Sequence, residues 1–263
     1  METENSQPNR CGLKTAPIRS FRVVSGKSPL VKHLSIGHIM FSCIIPTMHR
    51  DPAFPTFLAD LTQFHLISEV ILIDNDPSKR PNLPVFQHPK VVLLEQEINI
   101  GVNPAWNLGV KHSTQDHLAT INDDIRVDLR IFYRAASLLD KPTTGACFIS
   151  LGDHPSITSQ VPCSSGTIDI RPHTTEHLWG TGTCFFIHKR NWEPIPEDMK
   201  IYCGDNFCFE GQTQQGRTNY LLENAIWNTP NSATSRSFES EFSEKDKALY
   251  TKYNTERIKR NAI

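Results

Sequence analysis

The sequence of 263 residues lacks any long apolar run and any excess of charge of one sign. No stretch approaches the roughly 20 apolar residues that span a bilayer, and Met1–Arg10 is polar where a signal peptide has an apolar core. The 27 Lys and Arg residues nearly balance the 28 Asp and Glu residues, which is not typical of a protein that binds nucleic-acid phosphates. We therefore expect a soluble protein with no membrane span, whose partner is not a nucleic acid.

Paired cysteines and standard zinc motifs are also lacking. The seven cysteines are an odd number, and Cys43, Cys147 and Cys184 lie in apolar runs, as buried reduced thiols do. The cysteines and histidines between residues 177 and 208 follow no standard zinc-binding spacing. These features favour the cytoplasm or another reducing intracellular compartment.

Apolar runs alternate with helical patterns beyond an irregular N-terminal arm, residues 1–35, that is rich in Ser, Pro and basic residues. The predicted strands are Ile39–Pro46, Glu69–Ile73, Val91–Leu94 and His117–Ile121. Two helices are predicted between them, one capped by Asp51 and ending at Phe64, and one capped by Asn103 and running through Val110. Length alone allows one large domain or two small ones, and the alternation predicts an α/β fold with a mostly parallel, Rossmann-like sheet.

Polar residues follow three of the predicted strands. They are Thr47, His49 and Arg50 after the first, Asp74 and Asp76 after the second, and Asn122, Asp123 and Asp124 after the fourth. Ligands of open parallel sheets bind beyond the carboxyl ends of the strands, so one crevice could collect these side chains. Ordinary turn chemistry is the alternative for each segment taken singly.

The adjacent carboxylates of Asp123 and Asp124 indicate a hard cation. Neighbouring carboxylates repel each other, and a divalent ion such as Mn²⁺ or Mg²⁺ offsets that repulsion through oxygen ligands. A metal at this position also points to a phosphate-containing ligand.

Four segments together resemble the nucleotide-sugar-binding half of a GT-A fold glycosyltransferase, most closely glycosyltransferase family two. They read IIPTMHR, EVILIDND, NINIGVNPAWNLGV and LATINDDI. The resemblance covers Met40–Arg126 and continues more weakly to Glu210. It implies a nucleotide-sugar half at 36–130, an acceptor half of the same domain with a mixed sheet at 131–240, and a C-terminal helix at 241–263.

The resemblance assigns roles to the polar residues of the first half. It implies that Asp124 coordinates the divalent cation, that Asp123 touches the ribose or the metal, and that Asp74 contacts the nucleotide base. The remaining residues implied in donor binding are Thr47, His49, Arg50, Asp76, Asn99, Gly101, Asn107 and Asn122. Met48 and His49 replace an aromatic residue and an Asn of the family pattern.

The second half is expected to hold the acceptor and a general base. The segment Trp179–Ile187 resembles a glycine-rich segment that contacts acceptor and donor sugar, which implicates Trp179, Gly180 and Gly182; a plain strand with loose turns is the alternative. The Gly204-Asp205-Asn206 sequence resembles the family's Gly-Glu-Asp segment, with only one acid of the pair present.

Asp205 is the candidate base of inverting transfer, and capping of the following helix is a role that it could also fulfil. Residues 231–235 contain no histidine where relatives often carry one, so a third protein ligand to the metal is not identified.

The sequence therefore predicts a metal-dependent glycosyltransferase that moves a sugar from a nucleoside-diphosphate sugar to a glycan, lipid or protein acceptor. A sugar-phosphate nucleotidyltransferase is one alternative, although residues 47–52 lack the glycine of its phosphate loop. A non-catalytic nucleotide- or carbohydrate-binding protein of the same fold is another. Base, sugar, acceptor and linkage are not specified.

A terminal helix is predicted over Ser243–Arg260. Ser243 is its expected cap, and Leu249, Tyr253 and Ile258 are its expected packing positions. We assign this helix a structural role.

Overall fold

A computed structural model describes residues 39–150, 167–173, 180–225, 227–229 and 241–261. All of them belong to the unit Gly37–Ile263. The predicted arm, Trp179 and the segment 231–235 lie outside the described residues, and the division into halves stays a prediction.

The strands of the described chain form one large sheet and one small one. In chain order they are β1 Phe41–Thr47, β2 Ile67–Asp74, β3 Val91–Glu95, β4 His117–Ile121, β5 Arg126–Val127, β6 Thr144–Phe148, β7 Asp169–Pro172, β8 Cys184–His188, β9 Thr218–Glu223 and β10 Trp227–Asn228. The large sheet has the order β3-β2-β1-β4-β8-β6-β9-β7, and β5 pairs with β10.

The pairing confirms the predicted α/β fold. Strands β1, β2, β3 and β4 are mutually parallel, as right-handed crossovers require, whereas β8 runs antiparallel to both β4 and β6. The sheet is therefore mainly parallel in its first half and mixed in its second. All seven residues of β1 and all five of β4 are buried, which explains why both read as continuous apolar runs.

Helices cover both faces of the sheet. They are α1 Phe54–Gln63, α2 Val102–His112, α3 Ile131–Leu139, α4 Gly204–Gln214 and α5 Glu241–Asn261. The apolar residues of α1 and α3 belong to one core cluster, and those of α2 and α4 belong to the other. The result is a three-layer arrangement in which the carboxyl ends of β1, β2 and β4 lie at the same edge of the sheet.

Two predicted helix starts were wrong. Helix α2 begins one residue before Asn103, after Gly101, whose φ of 91° is in the region that favours glycine. Asn103 is fully buried inside the first turn. Helix α1 begins after Ala53, and the carboxylate of Asp51 accepts from the Ala53 amide instead of capping the helix.

The C-terminal helix is longer than predicted. Ser243 lies within it, and Leu249 and Tyr253 pack against the core as expected. Ile258 does not, because half of its surface is exposed. Among the described residues no helix combines the length and the apolar character that a membrane crossing requires.

Candidate active site

The carboxylates that follow β4 lie against the end of β1. The Thr47 hydroxyl donates to Asp123 Oδ2 at 2.6 Å, and the Met48 amide donates to the same oxygen at 3.3 Å. Because β1 and β4 are parallel neighbours, the polar residues after them meet at one edge. Asp124 is the next residue and is buried.

Electrostatics at this edge favour a cation. Burial raises the pKa of the Asp123 carboxyl to about 6, the Thr47 hydroxyl opposes the rise, and the neighbouring Asp124 carboxylate adds to it. Asp51 also contributes to this rise, although its carboxylate is paired with Arg126 at 2.5 Å. The carboxylates of Asp123 and Asp124 therefore form an electrostatically unfavourable pair that a hard divalent ion would relieve.

A cavity opens over this pair. The predicted site residues that line it are Thr47, Arg50, Asn99, Gly101, Asn122, Asp123 and Asp124. It collects residues from the ends of β1 and β4 and from the loop before α2, whereas the end of β2 contributes Asn75 and not the predicted Asp74 and Asp76. The cavity also takes Met48, Asp51, Asn75 and Ile201 into its lining, and none of these was predicted as a site residue.

Hydrogen bonds from backbone amides of the loop before α2 to two asparagine side chains hold this loop in place. Asn99 Oδ1 accepts from the Gly101 amide at 2.9 Å, and Asn75 Oδ1 accepts from the Ile100 amide at 3.2 Å. A Cβ atom on Gly101 would lie 2.5 Å from the Lys200 carbonyl oxygen, so the glycine permits a close backbone approach. The loop is thereby held at the cavity rim.

Asp74, Asp76 and His49 do not line the cavity, although Asn75 between the two aspartates does. Asp74 is fully buried, with His49 Nε2 at 3.0 Å from Oδ1 and Arg80 Nη1 at 2.8 Å from Oδ2. Asp76 accepts instead from Ser78 and Lys79. The Asp76 amide also donates to Oδ1, at 3.1 Å, so Asp74 has three partners. Contact between Asp74 and a nucleotide base would require a rearrangement around this buried carboxylate.

His49 has the positive φ of 54° that is uncommon for residues other than Gly and Asn. The family pattern that the sequence resembles has Asn at this point, and Asn adopts this conformation readily. The backbone shape at the end of β1 is therefore compatible with the family pattern even though the side chain differs.

Asn107 is placed away from the cavity, contrary to its predicted role in donor binding. Its amide donates to the Ile195 carbonyl at 2.7 Å and its oxygen accepts from the Ile195 amide and from Trp192 Nε1. These contacts give Asn107 a structural role, because they attach residues 192–195 to α2.

Asp205 lies in the first turn of α4, beside the glycine segment that precedes β8. The Thr181 hydroxyl donates to Asp205 Oδ2 at 2.6 Å, and a Cβ atom on Gly182 would lie 3.0 Å from that oxygen. The same segment reaches the end of β4, because the Asn122 amide donates to the Thr183 carbonyl at 2.9 Å. The structure therefore brings Gly180, Gly182 and Asp205 to the edge of the sheet that carries Asp123.

Little in the local sequence indicates that Asn75 and Ile201 line the cavity. Asn75 lies among turn-forming residues, and its hydrogen-bond partner Ile100 is 25 positions away in the sequence. Ile201 is an ordinary apolar residue, and only its three-dimensional placement brings it to the cavity.

A second group of possible metal ligands lies at the opposite edge of the sheet. His117 and His188 face each other at the start of β4 and the end of β8, and His117 Nε2 is 2.9 Å from Asp140 Oδ1. His188 Nδ1 accepts from the Arg190 amide, and the Arg190 guanidinium donates to the Asp140 carbonyl. Strand β4 separates this group from Asp123, and we assign it no part in the donor site.

The fold and the carboxylate pair at the end of β4 define a GT-A type of glycosyltransferase fold. The model of the family named Glycosyl transferase family 2 matches residues 42–192, more than half of the chain. The chain therefore belongs to glycosyl transferase family 2. A comparison with curated protein sequences gives no match.

Solved structures share the fold at low sequence identity. TarS 1-349 of S. aureus in complex with UDP-GlcNAc matches with a TM-score of 0.54 and 14% identity over 81% of this chain and 71% of that chain. GalNAc-T7 with UDP, GalNAc and Mn²⁺ matches with a TM-score of 0.55 and 12% identity over 73% and 44%. The mannosyltransferase PcManGT from Pyrobaculum calidifontis, in complex with GDP-Man and Mn²⁺, matches with a TM-score of 0.51 and 13% identity over 76% and 60%. The chain thus spans less than two thirds of the latter two chains.

Proposed function

We propose that this chain is a metal-dependent glycosyltransferase that moves a sugar from a nucleoside-diphosphate sugar to a hydroxyl group of an acceptor. The observation that supports it most is the Asp123–Asp124 pair, which lines a cavity at the carboxyl edge of a GT-A type sheet. Membership in glycosyl transferase family 2 agrees with this activity.

Asp124 and Asp123 are the residues that would hold Mn²⁺ or Mg²⁺. Burial, with a smaller contribution from Asp124, raises the pKa of Asp123, and two neighbouring carboxylates at a cavity suit a hard cation. When bound, such an ion supplies Lewis-acid stabilisation to the negative charge that develops on a diphosphate leaving group. A third protein ligand is not assigned.

The donor is expected to lie over the ends of β1 and β4. Arg50 offers a cation for phosphate oxygens, while Asn99, Gly101, Asn122 and Thr47 shape the same cavity. Asp74 remains our candidate for contact with the nucleotide base. Solved relatives contain both a UDP sugar and a GDP sugar, so the fold does not select the base.

Asp205 is the proposed general base of an inverting transfer. The acceptor hydroxyl oxygen attacks the anomeric carbon as the bond from that carbon to the diphosphate oxygen breaks, and Asp205 takes the hydroxyl proton. The products are the glycosylated acceptor and the nucleoside diphosphate. The Thr181 hydroxyl, bonded to Oδ2, would hold the carboxylate in orientation.

The acceptor is expected on the side of residues 131–240, next to Gly180 and Gly182. A glycan, a lipid and a protein all offer the hydroxyl that the chemistry requires. Trp179 remains a candidate for sugar contact on the basis of sequence resemblance.

Thermal shift with a panel of nucleoside diphosphates, with Mn²⁺ and with EDTA, tests the donor site. At least one nucleotide is expected to raise the melting temperature in the presence of Mn²⁺. Asp124→Asn should remove the contribution of the metal. A panel without any stabilisation would refute the donor site.

Release of nucleoside diphosphate from donor sugars tests the chemistry. Asp205→Asn is expected to lower turnover by about 10²–10⁴-fold while nucleotide stabilisation is kept. Asp60→Asn, at an exposed position of α1 outside the cavity, is the matched control. Nucleotide binding without transfer to any acceptor would favour the non-catalytic alternative, for which Asn206 in place of a second acid is the supporting feature.

A further inference from the structure

One backbone segment connects the donor cavity to the candidate base. We name Lys200–Gly204 the bridging segment. Ile201 within it lines the cavity, and Asp205 follows it directly at the start of α4. Any shift of this segment would therefore move the cavity wall and the base together.

Asp246 of the C-terminal helix binds the bridging segment from one side. Its carboxylate accepts from the amides of Lys200 at 3.0 Å, Ile201 at 2.8 Å and Tyr202 at 2.9 Å. The side chain belongs to a fully buried residue. A buried carboxylate is costly unless it is satisfied, and three backbone amides provide that satisfaction.

Helix α2 binds the same segment from the other side. The Lys200 carbonyl accepts from the amides of Val102 and Asn103 at 2.8 and 3.1 Å, and Asn103 Nδ2 donates to the Tyr202 carbonyl at 3.1 Å. A Cβ atom on Gly204 would lie 2.0 Å from Asn103 Oδ1, so glycine is needed for this approach. The segment is held between two helices that are far apart in sequence.

Helix α5 has other contacts that attach it to the domain. Tyr253 donates to Asp198, and Arg257 donates to the Phe207 carbonyl at 2.8 Å. Leu249 packs against the core. Docking of α5 therefore has support independent of Asp246, whose three hydrogen bonds all go to the bridging segment.

We propose that Asp246 is a positioning residue for the active site, which fixes the bridging segment so that Ile201 and Asp205 keep their places. The proposal rests on the proposed function, because it names the reaction whose geometry is held. It assigns the C-terminal helix a role in donor binding and catalysis. The sequence pattern of this helix indicated only a structural role in packing.

Asp246→Asn is the primary test. The amide keeps one acceptor oxygen, and its NH₂ group faces backbone donors, so part of the contact is lost. The donor KM is expected to rise about tenfold and kcat to fall about tenfold, because small displacements of positioned groups cost rate steeply. A merely structural role would lower only the fraction of active enzyme, which reduces kcat and leaves KM unchanged. Lys247→Gln, at the next position of the same helix, is the control and should stay near wild type.

Hydrogen exchange gives a readout that does not depend on activity. The amides of residues 200–202 are expected to exchange about tenfold faster or more in Asp246→Asn, while the core strands keep their protection. Failure of wild type to bind any nucleotide would refute the proposed function, and the exchange result would still decide whether Asp246 holds the segment.

A second variant covers the case in which Asp246→Asn does not fold. Asp246→Glu keeps a carboxylate for the three amides but lengthens the side chain by one methylene group, so it should displace the bridging segment and give the same combination of raised donor KM and faster exchange. Unchanged exchange at residues 200–202 in the folded variant, or a fall in kcat without a change in KM, would overturn the proposal.

Discussion

At the scale of single residues, a proton and the proposed metal ion would compete for the Asp123 carboxylate. The carboxyl has a pKa of about 6 because burial and Asp124 disfavour its charged form. A metal binds only the deprotonated carboxylate, so the pKa of the metal-free protein sets the pH at which the two compete. The Thr47 hydroxyl favours the charged form by donating to Oδ2.

Mn²⁺ affinity is therefore expected to be nearly constant above pH 7 and to fall by up to about tenfold per pH unit below pH 6. Thr47→Val removes the hydroxyl that lowers the pKa of Asp123, so the decline should begin at a higher pH in that variant. Calorimetric titration with Mn²⁺ between pH 5 and 8 measures both effects. Thr56→Val, at an exposed position of α1, is the control, and an affinity that is equal at pH 5.5 and 7.5 would contradict the expectation.

At the scale of elements, the sequence predicted strands well and long-range contacts poorly. β1 to β4 were found within about two residues because buried parallel strands are continuous apolar runs that end in turn formers. Asn103 and Asn107 were misassigned because their partners lie 85 to 99 positions away, at residues 192–202. Local spacing carries no information about such contacts, and the same holds for Ile201 at the cavity.

Packing of α2 on β1 depends on Gly109. A Cβ atom at this position would lie 2.3 Å from Ile44 Cγ2, which is buried in the core. Gly109→Ala is expected to lower the free energy of unfolding by about 1–3 kcal/mol, since overpacking forces shifts in side chains and backbone. Urea denaturation measures this loss. Lys111→Ala on the exposed side of the same helix should change stability by less than about 0.5 kcal/mol.

The segment before β8 is expected to control the position of Asp205. A methyl group in Gly182→Ala would lie 3.0 to 3.2 Å from the Asp205 side chain and would displace it by a few tenths of an ångström. We expect kcat to fall about tenfold while donor binding is unchanged, because the carboxylate moves and the cavity does not. Steady-state kinetics measure the two constants separately. Thr181→Ser keeps the hydroxyl bonded to Asp205 and should behave like wild type, whereas a Gly182→Ala enzyme with full kcat would argue against the role of Asp205.

At the scale of the whole molecule, one large sheet spans the proposed donor half and the proposed acceptor half. The antiparallel pairing of β4 with β8 places Ile121 opposite Cys184. Ile121 lies just before the proposed metal ligands, and Cys184 lies just after the glycine segment. Core clusters on both faces extend across this junction. We therefore expect the described part of the chain to unfold as one cooperative unit.

Cysteine labelling tests this cooperativity. Burial raises the pKa of the Cys184 and Cys147 thiols above the usual range, and it raises the pKa of Cys203 to about 11. At pH 8 the thiolate fraction of Cys203 is smaller than that of an ordinary cysteine by about 100-fold or more, so labelling of Cys203 by iodoacetamide in the native protein should be slow.

Cys147 and Cys184 lie in β6 and β8 and should react only through global unfolding, at the same rate as each other. Mass spectrometry of labelled peptides measures each rate, with urea-unfolded protein as the control. A nucleotide with Mn²⁺ that binds the native state should slow both rates equally, whereas protection of Cys184 alone would show that the two strands open independently.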